Sequence, residues 1–346
     1  MKIVIFEIEG WEKQSFESMQ PCRDCDVDLV PEALNHETAS DHSDAEIIST
    51  FIYSDLSRQT LQAFDRLKLI ATRSTGFDHI DQDICNERDI AIATVPDYGS
   101  ATVAEHTFAL LLTISHRLEE AIDRTRKGDF SPRGLQGFDL QGKTIGVVGT
   151  GSIGRHVISI AGGFGMNVLA HDVKPNREAA EQMGFDYVDM DRLLAESDVL
   201  TLHVPGSTET KHLIGKEQLA KMKEGAVLLN TARGSLIDER AVLRSLAEGR
   251  LAAAGLDVLP EEPAIREEAE LLRRVYEQDH SLETLLVDQV LIRMRNVIVT
   301  PHSAFNTREA VQRIIDTTVG NIEAFVRGEP ENLVELEQAD ASVTSA

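Results

Sequence analysis

Gly149-Thr150-Gly151-Ser152-Ile153-Gly154 spells G-x-G-x-x-G, and its neighbours decide how it is read. Before it, Thr144-Ile145-Gly146-Val147-Val148 is a charge-free run rich in β-branched residues, which predicts a buried strand. After it, residues 153–164 predict a helix ending in Gly165, and residues 166–170 a second strand with Asp172 at its end. The acid stands 18 positions past the last glycine. In such a unit the first glycine makes a tight turn and the second lets backbone approach a pyrophosphate. The third lets the helix pack on the strand. Backbone N–H groups and the positive helix end hold the phosphates, while Asp172 accepts from a ribose hydroxyl. A carboxylate there favours NAD over NADP, because it repels a 2′-phosphate. Lys174 and Arg177 lie close enough in sequence to offset part of that repulsion.

The unit is one part of a chain of 346 residues, long enough for two domains. The chain is 42% hydrophobic and 27% charged, with apolar mass for two cores and no run of 18 apolar residues that would predict a membrane span. The opening Met1-Lys2-Ile3-Val4-Ile5-Phe6-Glu7 reads as a strand meeting charge at once, not as a signal peptide, so a cytoplasmic enzyme is expected. Three cysteines build no disulfide framework, and Cys22-x-x-Cys25 has neither partner pair nor histidines at ligand spacing. It reads as a loop coincidence, and no metal site is expected. Net charge is −24, from 58 acidic against 34 basic residues, so no basic stripe is there to neutralise nucleic-acid phosphates. Two readings of that acidity stay open: a surface suited to a high-salt cytoplasm, or an ordinary acidic enzyme.

Residues 1–98 carry a second alternation of strand and helix. Strands are expected at 3–6, 27–30, 47–50, 69–72 and 90–93, with helix-compatible stretches such as 57–67 and 80–88 between them. That alternation predicts a parallel sheet covered on both faces. Thr102-Val103-Ala104-Glu105 has the form of a capping box opening a buried apolar helix over 105–118. Past the glycine loop, strands are expected at 199–203, 226–230, 251–255 and 297–300. Residues 262–296 read as a charged surface excursion with helices at 264–276 and 282–294 and no strand. A helix over 307–326 closes the chain, followed by a polar tail expected to be disordered.

Three segments just past predicted strands carry the chemistry, at the edge where open parallel sheets place ligands. In Asn230-Thr231-Ala232-Arg233-Gly234, Arg233 emerges where a guanidinium can take a carboxylate with two parallel hydrogen bonds. A surface arginine at a helix start is the plainer alternative, but that end of a helix repels cations. In Gly255-Leu256-Asp257-Val258-Leu259-Pro260-Glu261-Glu262-Pro263, Asp257 closes a strand and Glu262 is held extended by the following proline. In Thr300-Pro301-His302-Ser303-Ala304, His302 ends a strand.

Taken together, these motifs resemble those of the D-isomer-specific 2-hydroxyacid dehydrogenases over roughly residues 2–334. The resemblance rests on the glycine loop running to Asp172, on Asn-Thr-Ala-Arg-Gly, on Gly-Leu-Asp-Val leading to Glu262 29 residues after Arg233, and on Pro-His-Ser. It implies an α/β fold of two doubly wound parallel-sheet domains. A Rossmann NAD-binding domain (99–303) is inserted in a flavodoxin-like substrate domain (1–98 and 304–336), with 337–346 as tail. It implies NAD as cofactor, no nucleic acid or membrane as partner, a homodimer, and Arg233, Glu262 and His302 as the catalytic residues. His203-Val204-Pro205, Thr231, Ala232, Arg233, Asp257 and His302 would line the cofactor beside Gly149, Gly151, Ser152, Ile153, Gly154 and Asp172. The substrate would meet Ser74, Thr75, Gly76, Tyr98, Arg233, His302 and Phe305. Tyr98 and Phe305 stand where the D-lactate dehydrogenase branch has substrate-facing aromatics. Only a short tail follows Val334, so a C-terminal regulatory domain like that of the long phosphoglycerate dehydrogenases is not expected.

The residue types suit the reaction so implied. A 2-keto acid needs its carboxylate held and its carbonyl polarised, tasks for Arg233 and the backbone around Thr75 and Gly76. It also needs a proton at oxygen. Histidine supplies protons near neutrality because its ordinary pKa is about 6.5, and positioned acid catalysis is worth typically ~10²–10⁴-fold. Glu262 beside the imidazole would favour its protonated form. Pyruvate and D-lactate are the expected pair. A branched or glycerate-like D-2-hydroxy acid is the alternative, and a non-enzymatic NAD-sensing protein of this fold is a more distant one.

Overall fold

The computed structural model describes residues 1–19, 25–77, 79–260 and 282–335. The chain divides into two compact units, Met1–Tyr98 with the chain from Thr307, and Gly99–Asn306.

The first unit holds a five-stranded parallel sheet of β1 (Lys2–Ile5), β2 (Asp26–Leu29), β3 (Ile47–Thr50), β4 (Leu69–Thr72) and β5 (Ala91–Ala93), ordered β2-β1-β3-β4-β5. That is the flavodoxin-like order. Alternation along β1 shows why both faces are covered. Ile3 and Ile5 enter one buried cluster, with Ile315 and Ile322 of the Arg308–Arg327 helix. Val4 and Phe6 enter the other, with Leu61, Phe64 and Ile84. Thr307 caps the Arg308–Arg327 helix, its hydroxyl accepting from the Ala310 N–H. The chain after that helix returns to the sheet edge, where Leu333 bridges Ala93.

The second unit holds a seven-stranded parallel sheet: β6 (Thr144–Val148), β7 (Asn167–His171), β8 (Asp186–Tyr187), β9 (Val199–Leu202), β10 (Ala226–Asn230), β11 (Leu251–Leu256) and β12 (Val297–Val299). Its order, β12-β11-β10-β9-β6-β7-β8, is the Rossmann arrangement with one added strand. Here too period-two alternation splits each strand between two cores. Leu228 of β10 lies in one, Val227 and Leu229 in the other. The fold class is thus α/β with two doubly wound parallel sheets.

Several local expectations need correction. The helix at 105–118 runs Ser100–Ser115, starting after Gly99 with no side-chain cap, so Thr102 lies buried in its first turn and no capping box forms. Arg117 then takes a left-handed conformation, φ +51°, and a separate helix covers Leu118–Arg126. The stretch 57–67 yields only the Arg58–Leu61 turn of helix. The two-residue strand β8 was not expected at all; it pairs with β7 through Leu169–Asp186 and Ala170–Tyr187. Of the 262–296 excursion, the helix Leu282–Arg293 is described, while the expected helix at 264–276 lies outside the described residues. The 337–346 tail and Cys22 also lie outside them. Cys85 is buried in the first unit, and burial pushes its thiol up to about 12, which makes it unreactive. No helix among the described residues is long and apolar enough to cross a membrane.

Candidate active site

In the second unit the sheet order reverses between β6 and β9, and ligands bind such sheets at the carboxyl ends of the strands flanking the reversal. The glycine loop sits there. Gly149 has φ +93°, and a Cβ on it would fall 2.5 Å from the His203 carbonyl oxygen. A Cβ on Gly154 would fall 2.0 Å from the Gly149 carbonyl oxygen. Both are therefore required by the protein's own backbone. Gly151 is different: a Cβ there would meet no protein atom within 4 Å, and its φ is −64°. No described residue demands a glycine at 151, whereas a pyrophosphate approaching the start of the Ser152–Gly163 helix would. The loop fits a dinucleotide.

Asp172 follows β7 and faces this loop. Its Oδ2 accepts from the Thr150 N–H at 2.7 Å and the Thr150 hydroxyl at 2.8 Å, and its Oδ1 accepts from the Lys174 N–H at 2.8 Å. Burial pushes this carboxyl up, but the N–H groups of Lys174 and Thr150 and the Thr150 hydroxyl outweigh it and hold the group ionised. At the end of β9, the His203 N–H donates to the Val148 carbonyl at 2.7 Å, locking that strand end beside the glycine loop. The residue keeps some exposed surface, yet its Nδ1 is sealed off without a partner among the described residues. Burial pushes its imidazole down to about 3, so it is neutral at working pH.

Strands β10, β11 and β12 lie side by side and parallel, so the segments after them emerge at one edge. Asn230, fully buried, folds the first: its Oδ1 accepts from the Ala232 N–H at 3.1 Å and its Nδ2 donates to the Arg233 carbonyl at 2.9 Å. Thr231 beside it is tied to Thr107 of the Ser100–Ser115 helix, hydroxyl to hydroxyl at 3.0 Å. Arg233 is half-buried, with its Nη1 donating to the Ala232 carbonyl at 2.9 Å. It precedes a three-residue 3₁₀ turn, and the next α-helix starts only at Glu239, so the expected helix-end repulsion is not its setting. Gly234 lets the following segment close in: a Cβ there would fall 2.4 Å from the Leu259 carbonyl carbon. Glu262 itself lies outside the described residues.

Asp257 organises the third segment. It is 1% exposed. Its Oδ1 accepts from the Thr300 hydroxyl at 2.5 Å and the Ser303 N–H at 2.9 Å, its Oδ2 from the Ala304 N–H at 2.9 Å, and its carbonyl from the His302 N–H at 2.9 Å. Because Thr300 gives its one proton to Asp257, His106 Nε2, 3.0 Å from that hydroxyl, must be the donor to it. Burial pushes the Asp257 carboxyl up, and hydrogen bonds from His106, Thr300, Ala304 and Ser303 overcome this and hold it below the usual range. This grip keeps His302 at φ +51°, which costs a β-carbon-bearing residue of order 1 kcal/mol. Sequence reasoning found Asp257 and His302 but missed His106, Thr300, Asn230 and Thr150, whose roles are visible only once strand ends are neighbours.

Among the first-unit candidates, Ser74 donates to the Gly76 carbonyl at 2.6 Å and Thr75 to the Val95 carbonyl at 2.7 Å, which shapes the turn after β4. The Tyr98 carbonyl accepts from Arg313 Nε at 2.6 Å. Phe305 is half-buried in the second unit.

Comparison with known proteins agrees with this geometry. Residues 108–304 match the model of the D-isomer specific 2-hydroxyacid dehydrogenase NAD-binding domain. A 2-hydroxyacid dehydrogenase homolog of Haemophilus influenzae is 37% identical over 96% of this chain and 99% of its own length. The D-lactate dehydrogenase of Escherichia coli is 34% identical over 96% and 100%. The D-lactate dehydrogenase of Aquifex aeolicus, solved with NAD and lactic acid, superposes with a TM-score of 0.84 at 35% identity, covering 97% of this chain and all of the other. With its glycine loop, acidic strand end and His302 segment in place, the chain belongs to the D-isomer-specific 2-hydroxyacid dehydrogenases, NAD-dependent oxidoreductases, in their D-lactate dehydrogenase-like branch.

Proposed function

We propose that this enzyme interconverts pyruvate and D-lactate. The observation that supports the reading is the shared edge of β10, β11 and β12, at which the segments bearing Arg233 and His302 emerge, with Asp257 pinning the loop that bears the histidine. The E. coli and A. aeolicus relatives named for D-lactate support the choice of substrate.

Arg233 takes the substrate carboxylate through its planar fork and polarises the neighbouring carbonyl. His302 gives a proton to the carbonyl oxygen during reduction and takes it back during oxidation. Bound NADH supplies the hydride that the carbonyl carbon receives. Gly149, Gly151, Ser152, Ile153 and Gly154 hold the phosphates, Asp172 the ribose, and His203, Val204, Pro205, Thr231 and Ala232 line the remaining path. Glu262 partners His302 by family resemblance, and Tyr98 and Phe305 are substrate-facing aromatics on the same ground.

The test is a panel of pyruvate, branched 2-keto acids, hydroxypyruvate and glyoxylate with NADH, scored by kcat/KM against a blank without keto acid. Pyruvate should lead. A lead of more than about tenfold for another keto acid, which is the factor set by ~1.4 kcal/mol of differential transition-state binding, would reassign the substrate. We further propose a cytoplasmic homodimer: Leu118, Ile122 and Phe130, 42%, 47% and 81% exposed in an otherwise charged stretch of the second unit, are apolar side chains that a second copy would cover. Light scattering after size exclusion reads this directly, and a monomer at assay concentration would refute it.

A further inference from the structure

Thr150 is the residue between the first two glycines of the loop, and its one hydroxyl has two partners. Its Oγ1 lies 2.8 Å from Asp172 Oδ2 and 2.7 Å from the Tyr187 hydroxyl. A hydroxyl owns one proton, and an ionised carboxylate can only accept. The Thr150 proton therefore goes to Asp172, and the Tyr187 proton must go to Thr150. The Tyr187 oxygen in turn accepts from the Asn176 N–H at 3.1 Å. Every proton in the chain Asn176–Tyr187–Thr150–Asp172 thus has one direction, and the chain ends on the carboxylate.

The consequence for Asp172 follows by counting its acceptor positions. A carboxylate offers about four. The Thr150 N–H and hydroxyl occupy Oδ2, and the Lys174 N–H occupies one position on Oδ1. Among the described residues one position on Oδ1 is left, fixed in direction before any ligand arrives. The strand β8 is what places Tyr187: its register sets Tyr187 opposite Ala170 of β7, two residues before Asp172. An edge contact with Phe185, ring centroids 5.1 Å apart at 68°, holds the phenol ring. We propose that Tyr187 is a positioning residue of the cofactor site, orienting the Asp172 carboxylate through Thr150 and thereby setting the preference for NADH over NADPH. This rests on the reading of Asp172 as the ribose acceptor.

The experiment measures NADH and NADPH binding to the intact enzyme by fluorescence titration, together with KM and kcat for each cofactor. Tyr187→Phe keeps the ring and removes the donor. It should weaken NADH binding roughly three- to tenfold, the usual worth of one hydrogen bond, raise KM for NADH more than it lowers kcat, and narrow the NADH/NADPH ratio. Thr150→Val should do at least as much, and Thr150→Ser, which restores the hydroxyl, should recover most of the loss. The double variant Tyr187→Phe/Thr150→Val should be no worse than Thr150→Val within about twofold, since both act through one chain. Wild-type NADH binding in Tyr187→Phe overturns the proposal. So does equal weakening of NADH and NADPH with a lowered melting temperature, because that is the mark of a structural role. Asp172→Asn separates the layers. If it abolishes the NADH preference while Tyr187→Phe changes nothing, only the Tyr187 proposal falls. If it leaves the preference intact, the ribose reading falls and takes the proposal with it.

Discussion

At His302 a side chain able to carry a proton sits on backbone that only a tightly held loop would keep, φ +51° with its N–H donated to the Asp257 carbonyl. Strain of this sort persists where surroundings over-determine it, and here they do so around the proposed acid. His302→Ala or His302→Gln should lower kcat by at least ~10²-fold while NADH still binds, because proton delivery is lost and the glycine loop is untouched. Retained kcat in either variant removes the histidine from that role. Arg233→Lys should raise KM for the keto acid and lower kcat together, since an ammonium cannot reproduce a two-pronged contact. Near-wild-type kinetics would show that the contact is not bidentate. A 2′-phosphate near Asp172 meets a carboxylate held ionised by three donors. The wild type should accordingly prefer NADH over NADPH by at least ~10²-fold in kcat/KM, a figure that follows from like-charge repulsion of several kcal/mol at an effective dielectric near ~20. Comparable use of both would mean that Lys174 and Arg177 govern the pocket instead.

The elements that bring these residues together were legible to different degrees. Buried strands declared themselves as short apolar runs, and β3, β4, β6 and β10 fall where their β-branched runs place them. Strand β8 did not, because two residues on a sheet edge carry no periodicity to read. The Thr102–Glu105 pattern misled because a capping box needs its first residue outside the helix. Here the chain turns at Gly99, φ −144°, three residues earlier. Arg233, Asp257 and His302 were visible because each follows a strand. Thr300 and His106 were not, since 194 residues separate them and only the packed sheet makes them neighbours. Thr300→Val tests that grouping: it deletes the donor to Asp257 and the acceptor for His106, and should cost about ten- to hundredfold in kcat/KM, the worth of a hydrogen bond to a charged group. A silent Thr300→Val would mean that the His302, Ser303 and Ala304 N–H groups hold the loop without the Thr300 hydroxyl. His203, at the end of β9, sets a pH dependence. Its folded pKa of about 3 lies below the ordinary value of ~6.5, so between those limits the unfolded chain binds the extra proton. Stability should fall as pH drops from 6.5 toward 3. His203→Gln should flatten that slope in chemical denaturation, and an unchanged slope would place the acid sensitivity elsewhere.

For the whole molecule, charge is the dominant collective property. With a net −24, exposed carboxylates repel one another in the folded state, and the Debye length shrinks from about 10 Å at 0.1 M salt to about 3 Å at 1 M. The melting temperature should therefore rise with potassium chloride across that range, and a flat or falling curve would show that the surface ion pairs already offset the repulsion. Both units have the sheet order that places a ligand at the carboxyl edge, and in the second that edge carries the glycine loop, Arg233 and His302. We propose that this arrangement performs NAD-linked chemistry on one mirror form of a 2-hydroxy acid. The most direct measurement is NADH formation from NAD⁺ with D-lactate and L-lactate in parallel, in the wild type and in His302→Ala. Turnover is expected with the D-isomer, none above background with the L-isomer, and the D-signal should be lost in the variant. Turnover of L-lactate at a similar rate, or a D-signal that survives in His302→Ala, would contradict this proposal.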